Sequence, residues 1–205
     1  MNLDEKDENI FKFIYLAAIR DAVLQKAYKG EKKWLEESDV LVSLKETLSE
    51  FIDKVLKGEY HCQEDYDADF LSTAISVCEI INNNKKEAEN PDFTFGNAQK
   101  LINIMMKYFY ITCYGKKAAK EKFKFCHCPM DQQMLKKVWC KRESLSHDIP
   151  LGSTDFMKSW GSENFKVLES SKYNYPDRYR LFQEAVRDLA HKKGISPLEF
   201  DYREW

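Results

Sequence analysis

Two lysines and one aspartate have the residue types and spacing to do chemistry. Lys100 and Lys107 lie seven residues apart, which puts both amines on roughly one face if the segment is helical. That face would otherwise join the apolar stripe near Leu101, Ile104 and Tyr108. A lysine at the start of a largely buried helix is costly unless it has a partner or a task. Asp131 is the natural partner, because it follows Pro129 at the expected start of another helix, a place that suits a capping carboxylate. A neutral amine beside a carboxylate can attack an electrophilic carbon, while the carboxylate stabilises positive charge and moves protons. The plainer alternative is that Lys100 is a surface residue of a first turn and Asp131 only an N-cap.

Other reactive side chains are less well arranged. His61-Cys62, Cys126-His127-Cys128, Cys140 and His147 are of the types that bind zinc. Structural zinc sites bring ligands in pairs two to four residues apart, with a second pair further on. Cys126 and Cys128 are separated by one residue and no second pair follows, so no structural metal is expected. The run Ser146-His147-Asp148 holds the types of a hydrolase triad, but adjacent residues cannot face one another as a relay. With no glycine-rich phosphate loop and no nucleophile elbow, no cofactor is expected either.

Helices are expected to position these residues. The chain has 205 residues with only 7 Gly and 5 Pro, too few turn-makers for a sheet-rich fold. Helical periodicity is expected over about 7–29, ending at Gly30; 38–57, closed by Gly58; and 66–81. A loop is expected from 82 to 91. The next helix, about 96–114, is apolar around much of its circumference and should be buried on more than one side. A charged continuation, 116–124, leads to Pro129 and a short helix from Asp131 to about 141. Residues 142–175 look like loop with a helical turn. A long helix then runs from Pro176 to before Gly194, and Ser196-Pro197 opens a final turn. The expected fold is a single all-α domain of six to eight helices.

Charge is segregated along this chain although it nets only −2. Residues 1–70 hold 17 acidic and 10 basic side chains, whereas residues 100–142 hold 11 Lys/Arg against Glu121 and Asp131 alone. The basic middle is where a polyanion would bind, with Lys107, Lys116, Lys117 and Lys120 the expected phosphate contacts. The acidic opening residues have the wrong sign for an export signal, and no apolar run is long enough to span a bilayer. The expectation is a cytoplasmic protein with no membrane partner, whose 6 cysteines remain thiols.

The segment Gly96-Asn97-Ala98-Gln99-Lys100, followed by Pro129-Met130-Asp131, resembles the helix-hairpin-helix DNA glycosylases, especially the archaeal 8-oxoguanine type. The likeness covers about residues 95–140. It implies that Lys100 attacks the sugar carbon as the base is lost, and that Asp131 assists from the start of the next helix. The chain departs from that pattern at residues 90–96, where a single glycine stands in place of a glycine-rich hairpin, and no base-reading residue is assigned. The same segments are also similar to small uncharacterised bacterial and phage proteins, a likeness that implies no function. Two functions are therefore expected in order: a DNA-binding glycosylase or lyase, and then a non-enzymatic protein, of phage or mobile-element type, that binds or inhibits a protein partner.

Overall fold

The helix that carries Lys100 lies at the middle of the fold. In the computed structural model the described residues are 5–21, 28, 33–36, 38–85, 91–112, 117–146, 149, 151, 154–158, 160–161, 163–164 and 175–204. Among them the chain is all-α, with eight α-helices and no strand. α4 (Phe95–Thr112) packs against α1 (Glu5–Ile19) and α3 (Gln63–Asn83). Burial on both flanks follows from its composition, since Leu101, Ile102, Met105, Met106 and Phe109 leave no continuous polar face.

α2 (Ser38–Lys57) packs on α3 through a stripe of Leu44, Leu48, Phe51 and Val55 at helical spacing. Its end is set by Gly58 at φ +73°, a left-handed conformation that a side chain would resist. The Gly58 and Glu59 amides there donate to Val55 O and Lys54 O, satisfying carbonyls that the helix leaves free. α3 begins three residues before the expected start and ends two after the expected end. Glu64 and Asp65 occupy its first turn, where acidic groups favour the helix dipole, and an apolar-stripe reading does not register them. Asn82, expected in a loop, is still helical and holds residues 91–94 by bonding both Phe93 N and Phe93 O.

α5 (Lys117–Lys122) is followed by a turn at 123–125, an irregular stretch, 126–130, and then α6 (Gln132–Cys140). Short 3-10 turns at Arg142–Ser144 and Thr154–Met157 interrupt the long polar region, as expected. α7 (Asp177–Lys192) and α8 (Pro197–Glu204) pack together. The Ser196 hydroxyl accepts from Glu199 N at 3.1 Å, so the expected Ser-Pro start is present, but it opens two turns rather than one. The first helix is expected to about residue 29, but Tyr28 is not helical; residues 22–27 and Gly30 lie outside the described residues. No helix among the described residues is long and apolar enough to cross a membrane.

The first turn of α4 is covered by Trp160, Gly161 and Glu163. Gly96 N donates to Glu163 O at 3.0 Å and Thr94 Oγ1 donates to Gly161 O at 2.7 Å. A Cβ on Gly96 would lie 2.0 Å from the Trp160 carbonyl oxygen, so glycine is required for this approach.

Candidate functional site

Lys100 leaves the first turns of α4 and its Nζ lies 3.6 Å from Asp131 Oδ2. The side chains are only 14% and 13% exposed, so the pair is mostly withdrawn from water. The two oxygens of Asp131 have separate roles. Oδ1 accepts from Gln133 N at 3.0 Å and Met134 N at 2.9 Å, capping α6, which leaves Oδ2 for the lysine. Trp160 closes the site from above, with the amine 4.7 Å from its ring centroid. The aspartate is therefore both a cap and a partner: the expected capping is present, but Lys100 is not the surface residue of the plainer alternative.

The stretch 126–130 that delivers Asp131 is held by side-chain amides, as a strand would be by a neighbour. Gln99 of α4 donates to Met130 O at 2.9 Å and accepts from Met130 N at 3.1 Å. Gln183 of α7 donates to Cys128 O at 2.7 Å and accepts from Cys128 N at 3.1 Å. Both glutamines are buried, and they satisfy backbone groups that have no helix or sheet to bond them.

Just before these clamps His127 is buried among Tyr66, Phe70, Tyr175 and Tyr179. Asn103 Nδ2 donates to the Tyr179 oxygen at 3.1 Å, which turns the Tyr179 hydroxyl towards His127 Nδ1 at 2.9 Å. By this assignment Nε2–H donates to Asp67 Oδ1 at 2.8 Å and the imidazole is neutral. Burial holds His127 below the usual imidazole range, against the pull of Asp67. Burial also works to raise Asp67, but bonds from His127 and Gln63 outweigh it and leave this carboxyl below its ordinary value.

Lys107 does not stand where a phosphate could reach it. Its Nζ lies 2.8 Å from Asp201 Oδ2 of α8, with the two side chains 10% and 2% exposed. The spacing placed it correctly on the face of Lys100, but a later helix covers that face. Burial raises the Asp201 carboxyl above its ordinary value, more than the adjoining lysine lowers it. The remaining basic segment is also met by α8. Lys120, which stays exposed, reaches Glu199 at 3.5 Å, and Lys141 reaches Glu204 at 2.7 Å. Lys116 lies outside the described residues, as does the side chain of Lys117. The excess of positive charge in the sequence is thus partly neutralised in the fold.

Cys126, His127 and Cys128 have no arrangement for metal. Both ring nitrogens of His127 are occupied, and no group of three His, Cys, Asp or Glu residues among those described could hold an ion. Burial pushes the Cys126 thiol up to about 12, against a bond from Tyr66, and raises Cys128 well above its ordinary range. His147 lies outside the described residues.

Sequence periodicity brought out Lys100 and Asp131 but not Trp160, Gln99, Gln183 or His127. One signal was available: Asn97, Gln99 and Asn103 are amides in an otherwise apolar helix, and a buried amide needs a partner. Comparison with family models, with curated proteins and with solved structures finds no match for this chain.

Proposed function

We propose that this chain binds DNA and removes a base from it, with Lys100 as nucleophile and Asp131 as its assisting carboxylate. The observation that supports the reading is the 3.6 Å approach of Lys100 Nζ to the one Asp131 oxygen not used in capping. A merely capping aspartate would leave a half-buried amine without a counter-charge.

In the reaction, Lys100 first gives its ammonium proton to Asp131 Oδ2, and the free amine bonds to the sugar C1′ while the bond from C1′ to the base nitrogen breaks. The base leaves with that electron pair and takes the proton from Asp131. The attacking nitrogen then gives a second proton to Asp131, which passes it to O4′ as the C1′–O4′ bond opens, yielding a protonated imine. Trp160 must move aside for a sugar to reach the amine, and the target base must leave the helical stack. Lys120 and the exposed Lys122 and Lys136 of α5 and α6 would contact phosphates.

Borohydride reduction tests this directly. The wild-type chain is expected to form a covalent adduct with damaged or abasic DNA, and Lys100→Ala to form none while keeping its helical circular dichroism. Absence of trapping across oxidised, deaminated, alkylated and abasic duplexes would reject the reaction.

A second reading, a non-enzymatic protein that docks on another protein, draws on a different observation. Ile10 and Phe13, one helical turn apart on α1, are exposed, Phe13 by 72%. It predicts no trapping and no loss of partner binding in Lys100→Ala.

A further inference from the structure

We infer that Gln99 is the positioning residue of the Lys100–Asp131 site: its side-chain amide fixes the Met130 backbone, and so places the carboxylate that follows. This inference rests on the proposed base-removal reaction.

Three observations lead to it. First, Gln99 and Lys100 are neighbours on α4, so the residue that holds the Asp131 segment is rigidly connected to the amine that Asp131 must meet. Second, the hold is double: Gln99 donates to Met130 O and accepts from Met130 N, which fixes the peptide units on both sides of Met130, the second of them leading into Asp131. Third, Gln99 is itself fixed. It is fully buried, its Nε2 also donates to Gly96 O at 3.0 Å, and its Oε1 accepts from Asn103 at 3.3 Å. A buried amide with all its bonds made has one low-energy orientation. The α6 cap fixes Asp131 relative to α6, whereas the Gln99 contact ties the backbone beside it to α4 independently of the Lys100 amine.

Core packing alone does not call for this residue. A leucine or methionine would fill the same volume, but it would leave the Met130 N–H and C=O without those bonds. Gln183 makes the equivalent pair of bonds to Cys128, yet from α7, which carries neither member of the site. It serves as an internal control with the same chemistry in the same stretch.

The decisive variant is Gln99→Glu, which keeps the size and the acceptor for Met130 N but loses the donor to Met130 O. Gln99→Met is the second variant, should the carboxylate prevent folding. Two rates are measured on the full chain: base release from a duplex with 8-oxoguanine, and borohydride trapping on the same duplex with an abasic site. Base release needs Asp131 in place as charge develops on the sugar, whereas an abasic site has no base to expel. A carboxylate displaced by about an ångström is expected to slow base release on the order of 100-fold. Abasic trapping should stay within about threefold of wild type, since the Lys100 amine is retained. The double variant Gln99→Glu/Asp131→Asn should release base no more slowly than Asp131→Asn alone, because both act through one carboxylate.

A purely structural role would lower both rates in the same proportion, and that result overturns the inference. Unchanged base release in both Gln99 variants overturns it as well. The same split in Gln183→Glu would assign positioning to the whole stretch rather than to Gln99, and would also overturn it. Failure of the base-removal reaction itself is distinguishable, because then the wild-type chain neither releases base nor traps.

Discussion

The two ends of α4 carry the same pair of residue types in different settings. At one end Lys107 and Asp201 lie 2.8 Å apart, and the carboxylate is 2% exposed. At the other, Lys100 and Asp131 lie 3.6 Å apart, each somewhat more exposed, with an aromatic ring above the amine. The first pair is closed by a helix that packs over it, and its charges have no route to a substrate. The second is held more loosely, its carboxylate is fixed by a cap, and its cover is one side chain. Close contact and full burial make an ion pair a structural element, whereas partial cover and a separately anchored partner suit the Lys100–Asp131 pair to the proposed reaction.

Breaking the closed pair should have the largest effect. Lys107→Ala would strand the Asp201 carboxylate in the interior, and we expect about 3 kcal/mol of lost stability by denaturant unfolding at neutral pH. Replacing both members with Met and Leu should recover most of that loss. The deficit of the single variant should also depend on pH. The Asp201 carboxyl in the folded chain is already raised, and removing the lysine raises it further. A folded carboxyl raised above its unfolded value stabilises below the unfolded value and loses that contribution as pH rises. The deficit should therefore shrink on acidification towards pH of about 4. An equal deficit at acid and neutral pH would show that Asp201 is not the group stranded.

The cover of the Lys100–Asp131 pair can be broken next. Gly96→Ala puts a methyl group where the Trp160 backbone carbonyl lies, and backbone cannot turn aside as a side chain would. We expect a loss of about 2 kcal/mol, with Trp160 fluorescence shifted to the red as the ring moves from the Lys100 amine into water. An unshifted spectrum with full stability would mean that the covering segment is not held as described.

Removing Lys100 should matter least to the fold. Lys100→Ala takes one charge from a partly exposed pair whose carboxylate keeps its two cap bonds, so we expect no more than about 1 kcal/mol. A loss as large as that of Lys107→Ala would remove the distinction between the two ends of α4.

Lys100 and Asp131 were legible in the sequence because each is marked locally, one by a break in an apolar stripe and the other by a proline two residues before a helix start. Lys107 carries the same local mark, and periodicity correctly gave its face. What periodicity could not give is which later helix covers that face, since that depends on residues far along the chain. The expectation of a phosphate contact failed for that reason. Trp160 lies in a polar, interrupted stretch with no period to read, and its role depends on a glycine at 96 that could equally have marked a simple turn. The paired glutamine bonds were hidden for another reason. An amide's partners here are backbone groups, which every residue has, so their identity leaves no trace in the side-chain pattern.

The cover that α8 lays over Lys107 also bears on the order in which the chain assembles. A lysine amine cannot be dried ahead of its counter-charge, and the carboxylate for this one comes from a helix much later in the sequence. Until that helix docks, the corresponding stretch of α4 must stay wet, however well its apolar neighbours have begun to pack. Closing so long a loop is entropically slow. The contact that completes the core is thus expected among its last to form, with the central helix locked late on the side of Lys107.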